Sequence, residues 1–349
     1  MKKHTAIDLF SGCGGLTLGL KQAGFKVIAA VEYEELAVRT YKANHPGSRV
    51  WNADIRKVPA RKMMRELGFK PGELDLLAGC PPCQGFSVLR TRNGGAQNRD
   101  RRNQLVDEVF RFARAFRPKA LMLENVPGLG ERRSFLELCD DLKRIGYRVR
   151  WEVKDARRYG VPQRRKRLIM LAGRGFEIPF AKESDGIRTV RQTIGHLKKA
   201  GMSRDPLHDL SERRSRKVLE LIKDIPKDGG SRTDLPRSRQ LECHKRSDGF
   251  SDIYGRMAWD APSPTITSGC FNPSKGRFLH PRYDRAITLR EAALLQTFPG
   301  RYHFPLVAGK EAVALMIGNA LPPAFTKRHA KQIVESLKAA ARKSSRARR

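Results

Sequence analysis

The chain has 349 residues, 40% of them hydrophobic, with 70 Lys and Arg against 36 Asp and Glu for a formal net charge of +34. That length and apolar content suit one large domain with a smaller or inserted one, and no apolar run approaches the roughly 20 residues that span a bilayer. The charge surplus speaks of partners rather than fold: it suits nucleic acid, while an anionic membrane surface is disfavoured because no amphipathic anchor is evident.

The chain starts "MKKHTAIDLFSG", without the apolar core of a signal peptide, so a cytosolic protein is expected. "TAIDLF" (5–10) reads as a short buried strand, followed by a turn containing Gly12, Gly14 and Gly15, a helical pattern over 16–25 and a second strand, "KVIAAVEY" (26–33). Glycines between a first strand and its helix let the backbone approach a ligand closely. The spacing falls short of the full dinucleotide fingerprint, and no phosphate-binding lysine motif follows. Phe10 flanks the turn. Glu32 ends the second strand, where a carboxylate can accept hydrogen bonds from ribose, and Asp54 in "NADI" marks a further strand end. A nucleoside cofactor without a pyrophosphate fits this set; so does a plain strand–helix turn with surface acids.

The strand "LDLLAGC" (74–80) runs into "PPCQGFS", which sets Cys80 and Cys83 on either side of two prolines. Such a pair can be half a zinc site, a redox couple, or one reactive thiol with an incidental neighbour. The six cysteines, at 13, 80, 83, 139, 243 and 270, form neither a disulfide framework nor a second metal-binding pair. Cys243 and His244 are adjacent and poorly placed to chelate one ion. A thioredoxin-like module would also be far smaller and less basic.

An Arg-rich, glycine-containing loop over 84–103 precedes an amphipathic helix over 104–116, which carries Leu105 near its start. "PKALMLENV" (118–126) is a further strand that ends at Glu124 and Asn125. A carboxylate there, in apolar surroundings, would hold a proton near neutrality, although Glu124 could equally cap the next turn. In "VPQRRKRLIML" (161–171), Gln163, Arg165 and Arg167 alternate into a strand. One strand face with two guanidiniums suits a phosphate or a base carbonyl, or is simply a basic surface.

From 176 to 255 apolar runs give way to Lys, Arg, Asp, Ser and Pro, as in a loop-rich smaller domain. Helical patterns return at "TLREAALLQTF" (288–298) and "EAVALMIGNALPP" (311–323), and 338–349 read as a mobile basic tail. Short apolar strands alternating with amphipathic helices predict an α/β fold with a doubly wound sheet.

In order, "DLFSGCGG", "GCPPCQGFS", "ENV", "PQRRKR", "RMAWDAPSPTIT" and "IGNALPP" match the blocks that define DNA (cytosine-5)-methyltransferases. From about residue 5 to 330 the chain resembles the bacterial type of that family. The resemblance implies a Rossmann-like, S-adenosylmethionine-dependent methyltransferase fold. A catalytic domain would span 1–175, a small target-recognition domain 176–284, a return to the catalytic domain 285–337, and the tail 338–349.

By the same resemblance Cys83 is the nucleophile that adds to C6 of a flipped-out cytosine, Glu124 acts on N3 and Arg165 holds the carbonyl O2. Cofactor contacts would fall on Phe10, Gly12, Gly14, Glu32, Asp54, Ile55, Leu105 and Asn319, with no metal. Cys80 stands where the family needs no thiol and would pack at the strand end. The loop 84–103 would close over the extruded base, with Gly94 and Gly95 permitting movement and Arg90, Arg92, Arg99, Arg101 and Arg102 meeting phosphates.

The implied partner is double-stranded DNA, with any cognate restriction endonuclease acting separately, and the enzyme would be a cytoplasmic, nucleoid-associated monomer. A related branch methylates transfer RNA, but the separate variable segment favours DNA. A non-enzymatic nucleic-acid binder or redox protein would have no use for Glu124, Arg165 and the cofactor loop together.

Overall fold

Each apolar run expected to be a strand is one in the computed structural model, which describes residues 3–82, 105–242 and 252–346. The strands are β1 (Thr5–Leu9), β2 (Lys26–Glu32), β3 (Arg49–Asn52), β4 (Leu76–Gly79), β5 (Ala120–Asn125), β6 (Tyr147–Asp155) and β7 (Lys166–Arg174). They form a seven-stranded sheet in the order β3-β2-β1-β4-β5-β7-β6. β1 to β5 are parallel, and β7 runs antiparallel between β5 and β6.

No apolar run marked the two edge strands, although Asp54 pointed to the end of β3. β3 is only four residues long. β6 alternates Tyr147, Val149, Trp151 and Val153 with Arg148, Arg150, Glu152 and Lys154, a period-2 signal diluted by charge. Charge on an edge strand is useful, because it discourages pairing with another chain.

The helices are α1 (Gly15–Gln22), α2 (Glu35–Asn44), α3 (Ala60–Glu66), α4 (Leu105–Phe116), α5 (Arg133–Arg144), α6 (Val190–Ile194), α7 (Arg216–Asp224), α8 (Leu289–Leu295), α9 (Gly309–Asn319) and α10 (Pro323–Arg346). On one sheet face, Leu9, Val31, Leu77, Leu123 and Met170 pack with Met63 of α3, Phe112 and Phe116 of α4, and Phe135 and Leu142 of α5. Elsewhere in the same unit α1 lies against α10. A Cβ on Gly19 would stand 2.4 Å from Thr326 Cβ, so only glycine allows this approach. Residues 338–346, expected to be a mobile tail, instead continue α10, because Ala, Lys and Arg favour helix and buried Ile333 and Leu337 anchor the turns before them. Among the described residues no helix is long and apolar enough to cross a membrane.

The chain divides into two compact units: Met1–Asp155 with Lys166–Glu183 and Leu321–Arg349, and Ala156–Arg165 with Ser184–Ala320. The first contains the sheet. In the second, regular structure is short helices and isolated bridges, and a buried cation does much of the organising. Arg256 is fully buried and donates to the carbonyls of Ile222, Ile225, His280 and Tyr283 while pairing with Asp284. Leu221, Ile222, Ile225, Tyr254 and Leu279 form a small apolar cluster in the same unit. Replacing the Arg256 side chain would strand several buried carbonyls at once. Arg256→Met is therefore expected to destabilise the second unit by about 3–5 kcal/mol, read as a lower urea midpoint; an unchanged midpoint would contradict this role.

Candidate active site

Strand order reverses between β1 and β4, with β2 and β3 on one side and β5 onward on the other. In an open parallel sheet, such a reversal opens a crevice at the carboxyl ends of the strands. What leaves β1, β4 and β5 at that edge is therefore brought together by topology.

β1 leads into the glycine turn. Phe10 (φ +59°), Gly12 (φ +52°) and Gly14 (φ +98°) all adopt left-handed backbone conformations, which glycine tolerates and phenylalanine bears at a cost. The Glu32 carboxylate clamps this turn to the end of β2. Its Oε2 accepts the Gly12 N–H at 2.8 Å, and its Oε1 accepts the Tyr33 and Glu34 N–H groups at 2.9 Å each. Burial raises the Glu32 pKa, and those three N–H donors oppose the rise. A Cβ on Gly12 would meet nothing within 4 Å, so the turn presents open backbone.

Behind the turn, fully buried Asp8 accepts the Thr17 hydroxyl at 2.6 Å, and Thr17 Oγ1 lies 2.9 Å from Tyr41 Oη. Burial pushes the Asp8 carboxyl up to about 7. His45 Nε2 stands 3.3 Å from the Gly14 carbonyl, and burial takes that imidazole down to about 4, so it is neutral at physiological pH.

Asp54 follows β3 and opens a short 3-10 turn. It accepts the Arg56 N–H at 3.0 Å as well as the Arg56 guanidinium, whose hydrogen bonds hold the carboxyl below its ordinary range. Ile55 beside it is buried in the core, as is Leu105 at the start of α4.

Glu124 is the last residue but one of β5, buried, with Arg167 Nε 2.9 Å from its Oε1. The apolar surroundings expected for it are thus corrected: a guanidinium reaching from β7 compensates its charge. Next to it, Asn125 Nδ2 donates to the Pro81 carbonyl at 3.0 Å, and its Oδ1 accepts the Val126 N–H at 2.8 Å. Asn125 thereby ties the two prolines after β4 to the end of β5. Sequence reasoning gave this residue no role, although its place in "ENV" was the available signal. Half-buried Cys80 donates its N–H to the Leu9 carbonyl at 3.3 Å and hydrogen-bonds Glu124 through its thiol.

Arg165 belongs to the second unit. β7 begins at Lys166, so Gln163 and Arg165 precede the strand, and the expected alternation of three residues on one strand face does not hold. Arg165 is instead an anchor. Its Nη1 donates to the Ile266 carbonyl and its Nη2 to the Gly318 carbonyl, both at 2.9 Å. Gln163, fully buried, accepts the Ile266 N–H at 2.9 Å and donates to Gln296 Oε1 at 2.9 Å. A Cβ on Gly318 would lie 2.3 Å from the Ser268 backbone nitrogen, so glycine is required there. Asn319 ends α9 with its side chain exposed. Cys83 and the arginines at 90, 92, 99, 101 and 102 lie outside the described residues. Among the described residues no group of three or more His, Cys, Asp or Glu could hold a metal ion.

Asp8 makes stability depend on pH. Its folded value of about 7 lies above the ordinary 3.8, so its contribution is complete below about 3.8 and is lost as pH rises through about 7. Asp8→Asn cannot ionise. Between about pH 5 and pH 9 the variant should gain on the wild type by on the order of 2 kcal/mol, measured by urea unfolding at each pH. A pH-independent difference would contradict the assignment.

A family model described as C-5 cytosine-specific DNA methylase matches residues 4–335. Similar proteins include the Type II methylase M.HgiDII of Herpetosiphon aurantiacus, 35% identical across 94% of each chain. Type II methyltransferase M1.HphI of Haemophilus parahaemolyticus is 33% identical, over 95% of this chain and 87% of its own. Among solved structures, a prophage-encoded DNA modification methyltransferase from E. coli superposes with a TM-score of 0.70 at 24% identity, over 96% of this chain and 99% of that one. The S. pombe Dnmt2 methyltransferase does so with a TM-score of 0.62 at 18% identity, covering 96% and 99%.

Proposed function

The chain belongs to the C-5 cytosine-specific DNA methylase family and is a cytosine-C5 DNA methyltransferase; on that premise we propose that it methylates a flipped-out cytosine in a specific duplex sequence, using S-adenosylmethionine and a covalent bond between Cys83 and C6. The observation that carries this reading is the meeting, at adjacent strand ends, of an open glycine turn, the Cys80-Pro81-Pro82 exit and the Glu124-Asn125 pair.

Cytosine C5 is a weak nucleophile. Addition of the Cys83 thiolate to C6 pushes the ring electrons toward C5 as an enamine able to attack an electrophilic carbon. S-adenosylmethionine supplies that carbon as a methyl sulfonium when bound. H5 then leaves as a proton, its electron pair restores the C5–C6 double bond, and the Cys83 thiolate is expelled. Glu124, held by Arg167, would protonate N3, or donate a hydrogen bond to it from its protonated carboxyl, as charge develops there. Arg165, anchored through its terminal nitrogens, would meet the carbonyl O2.

The residues present fit the cofactor. Open backbone at Gly12 leaves room for a nucleoside, with Gly14 in the same turn, and the Glu32 and Asp54 carboxylates offer acceptors for ribose hydroxyls and the adenine amine. Phe10 and Ile55 would supply apolar contact, with Leu105 and Asn319 as further contacts. Residues 176–255, within the small domain expected over 176–284, would read the target through base edges in the major groove, each good contact worth ~1–3 kcal/mol of discrimination. Any cognate restriction endonuclease would act separately, on the unmethylated sequence.

Bisulfite sequencing of a methylation-free host expressing the gene identifies the target. A duplex with 5-fluorocytosine at that position should then form a denaturant-stable adduct, because fluorine cannot leave as H5 does. Cys83→Ser should abolish the adduct and Cys80→Ser retain it. Loss of the adduct in Cys80→Ser alone would refute the assignment of the nucleophile. Glu124→Gln should slow methyl transfer ~100-fold or more with little change in duplex affinity by gel shift, and a full-rate variant would remove Glu124 from the chemistry.

Replacing 176–255 by the matching segment of a relative should transfer the relative's methylated sequence. A working chimera that keeps its original target would place the readers elsewhere.

A further inference from the structure

Cys80 has no part in the chemistry above, yet its surroundings are not those of a packing residue. The β1–β4 ladder pairs Asp8 with Ala78, and the β4–β5 ladder pairs Ala78 with Met122. Two residues on along each strand the same face recurs, so Cys80 and Glu124 share the sheet face of Asp8. It is the face opposite Leu9, Leu77 and Leu123, which belong to the core cluster. Cys80 therefore stands between two carboxyl groups.

On one side its thiol is hydrogen-bonded to Glu124. On the other lies Asp8, fully buried, whose Oδ1 finds no hydrogen-bond partner among the described residues. Burial, the charges of Glu124 and Asp8, and the hydrogen bond to Glu124 all raise the pKa of this thiol well above its ordinary value, so it keeps its proton and donates it. A protonated thiol also separates two carboxyl groups without adding charge.

We propose that Cys80 is a positioning residue for methyl transfer: its S–H, held on the Glu124 carboxylate, fixes that carboxylate in the orientation in which it meets the target base. A glutamate side chain has several soft torsions, and one partner leaves it free to pivot. Arg167 holds Oε1 from β7 at 2.9 Å. The thiol supplies a second hold from β4, and two donors from opposite sides define the carboxylate plane. This rests on the cytosine-N3 role proposed for Glu124.

Two measurements test it. In the full-length Cys83→Ser protein, alkylation of Cys80 by iodoacetamide at about pH 8 should be slow. Adding Glu124→Gln or Asp8→Asn removes a charge that opposes thiolate formation, and should accelerate it ~10-fold, one unit of thiol pKa. Unchanged alkylation rates in both would overturn the proposal. In otherwise wild-type enzyme, Cys80→Ala should lower kcat ~10-fold with KM for DNA unchanged, as expected when hold on a group acting only in the transition state is lost. Cys80→Ser, which keeps a hydroxyl donor, should restore kcat to within about twofold of wild type. A wild-type kcat in Cys80→Ala, or equal losses in Ala and Ser, would reduce Cys80 to packing. Alkylation needs no turnover, so a wild type that transfers no methyl group would sink the proposed function while leaving the contact between Cys80 and Glu124 testable.

Discussion

Parallel neighbouring strands must deliver their carboxyl ends to the same edge of the sheet, and nearly everything about this site follows from that constraint. β1, β4 and β5 are adjacent and parallel, so the glycine turn, the Cys80-Pro81-Pro82 exit and Glu124-Asn125 emerge side by side although Ser11 and Asn125 are 114 positions apart in sequence. The strand-order reversal between β1 and β4 then keeps the helices from closing over that edge. Cross-links between exits hold it in shape: Glu32 to the Gly12 N–H, and Asn125 to the Pro81 carbonyl.

The same edge gathers negative charge in a chain whose formal net charge is +34. Each buried carboxyl copes with burial by a different means. Asp8 is pushed toward its neutral form, Glu32 is satisfied by three backbone N–H groups, and Glu124 is paired with Arg167. These are the solutions available to a carboxylate removed from water, and only pairing or hydrogen bonding preserves the charge. A neutral donor such as the Cys80 thiol fits between two of them without disturbing the balance.

The two units solve stability differently, and the difference matches what each is proposed to do. In the first, a sheet satisfies its own backbone and carries layers of apolar side chains, which gives rigid strand ends for chemistry. In the second, irregular chain leaves many carbonyls to be satisfied by side chains, and Arg256 and Arg165 serve them from within. Loops held at a few buried points tolerate change between those points, which suits a surface that must recognise one sequence and not another.

By itself the sequence determined the sheet's interior, the glycine turn, the family and its candidate residues. Buried strands such as "LDLLAGC" and "ALMLEN" are apolar along their length, and the glycines mark backbone that other residues cannot adopt, so both signals are local. The edge strands β3 and β6 left no apolar run, β3 being marked only by Asp54 beyond its end, because an edge is half solvated and carries charge that blurs its period. Gln163 and Arg165 were given to a strand that starts only at Lys166, since alternation alone cannot say where pairing begins. Only the tertiary structure decided that Arg167 neutralises Glu124, that Asn125 grips Pro81 and that Cys80 lies between two carboxyl groups. Each of these depends on the register between strands distant in sequence, and register is set by the packing of the whole sheet rather than by any one segment.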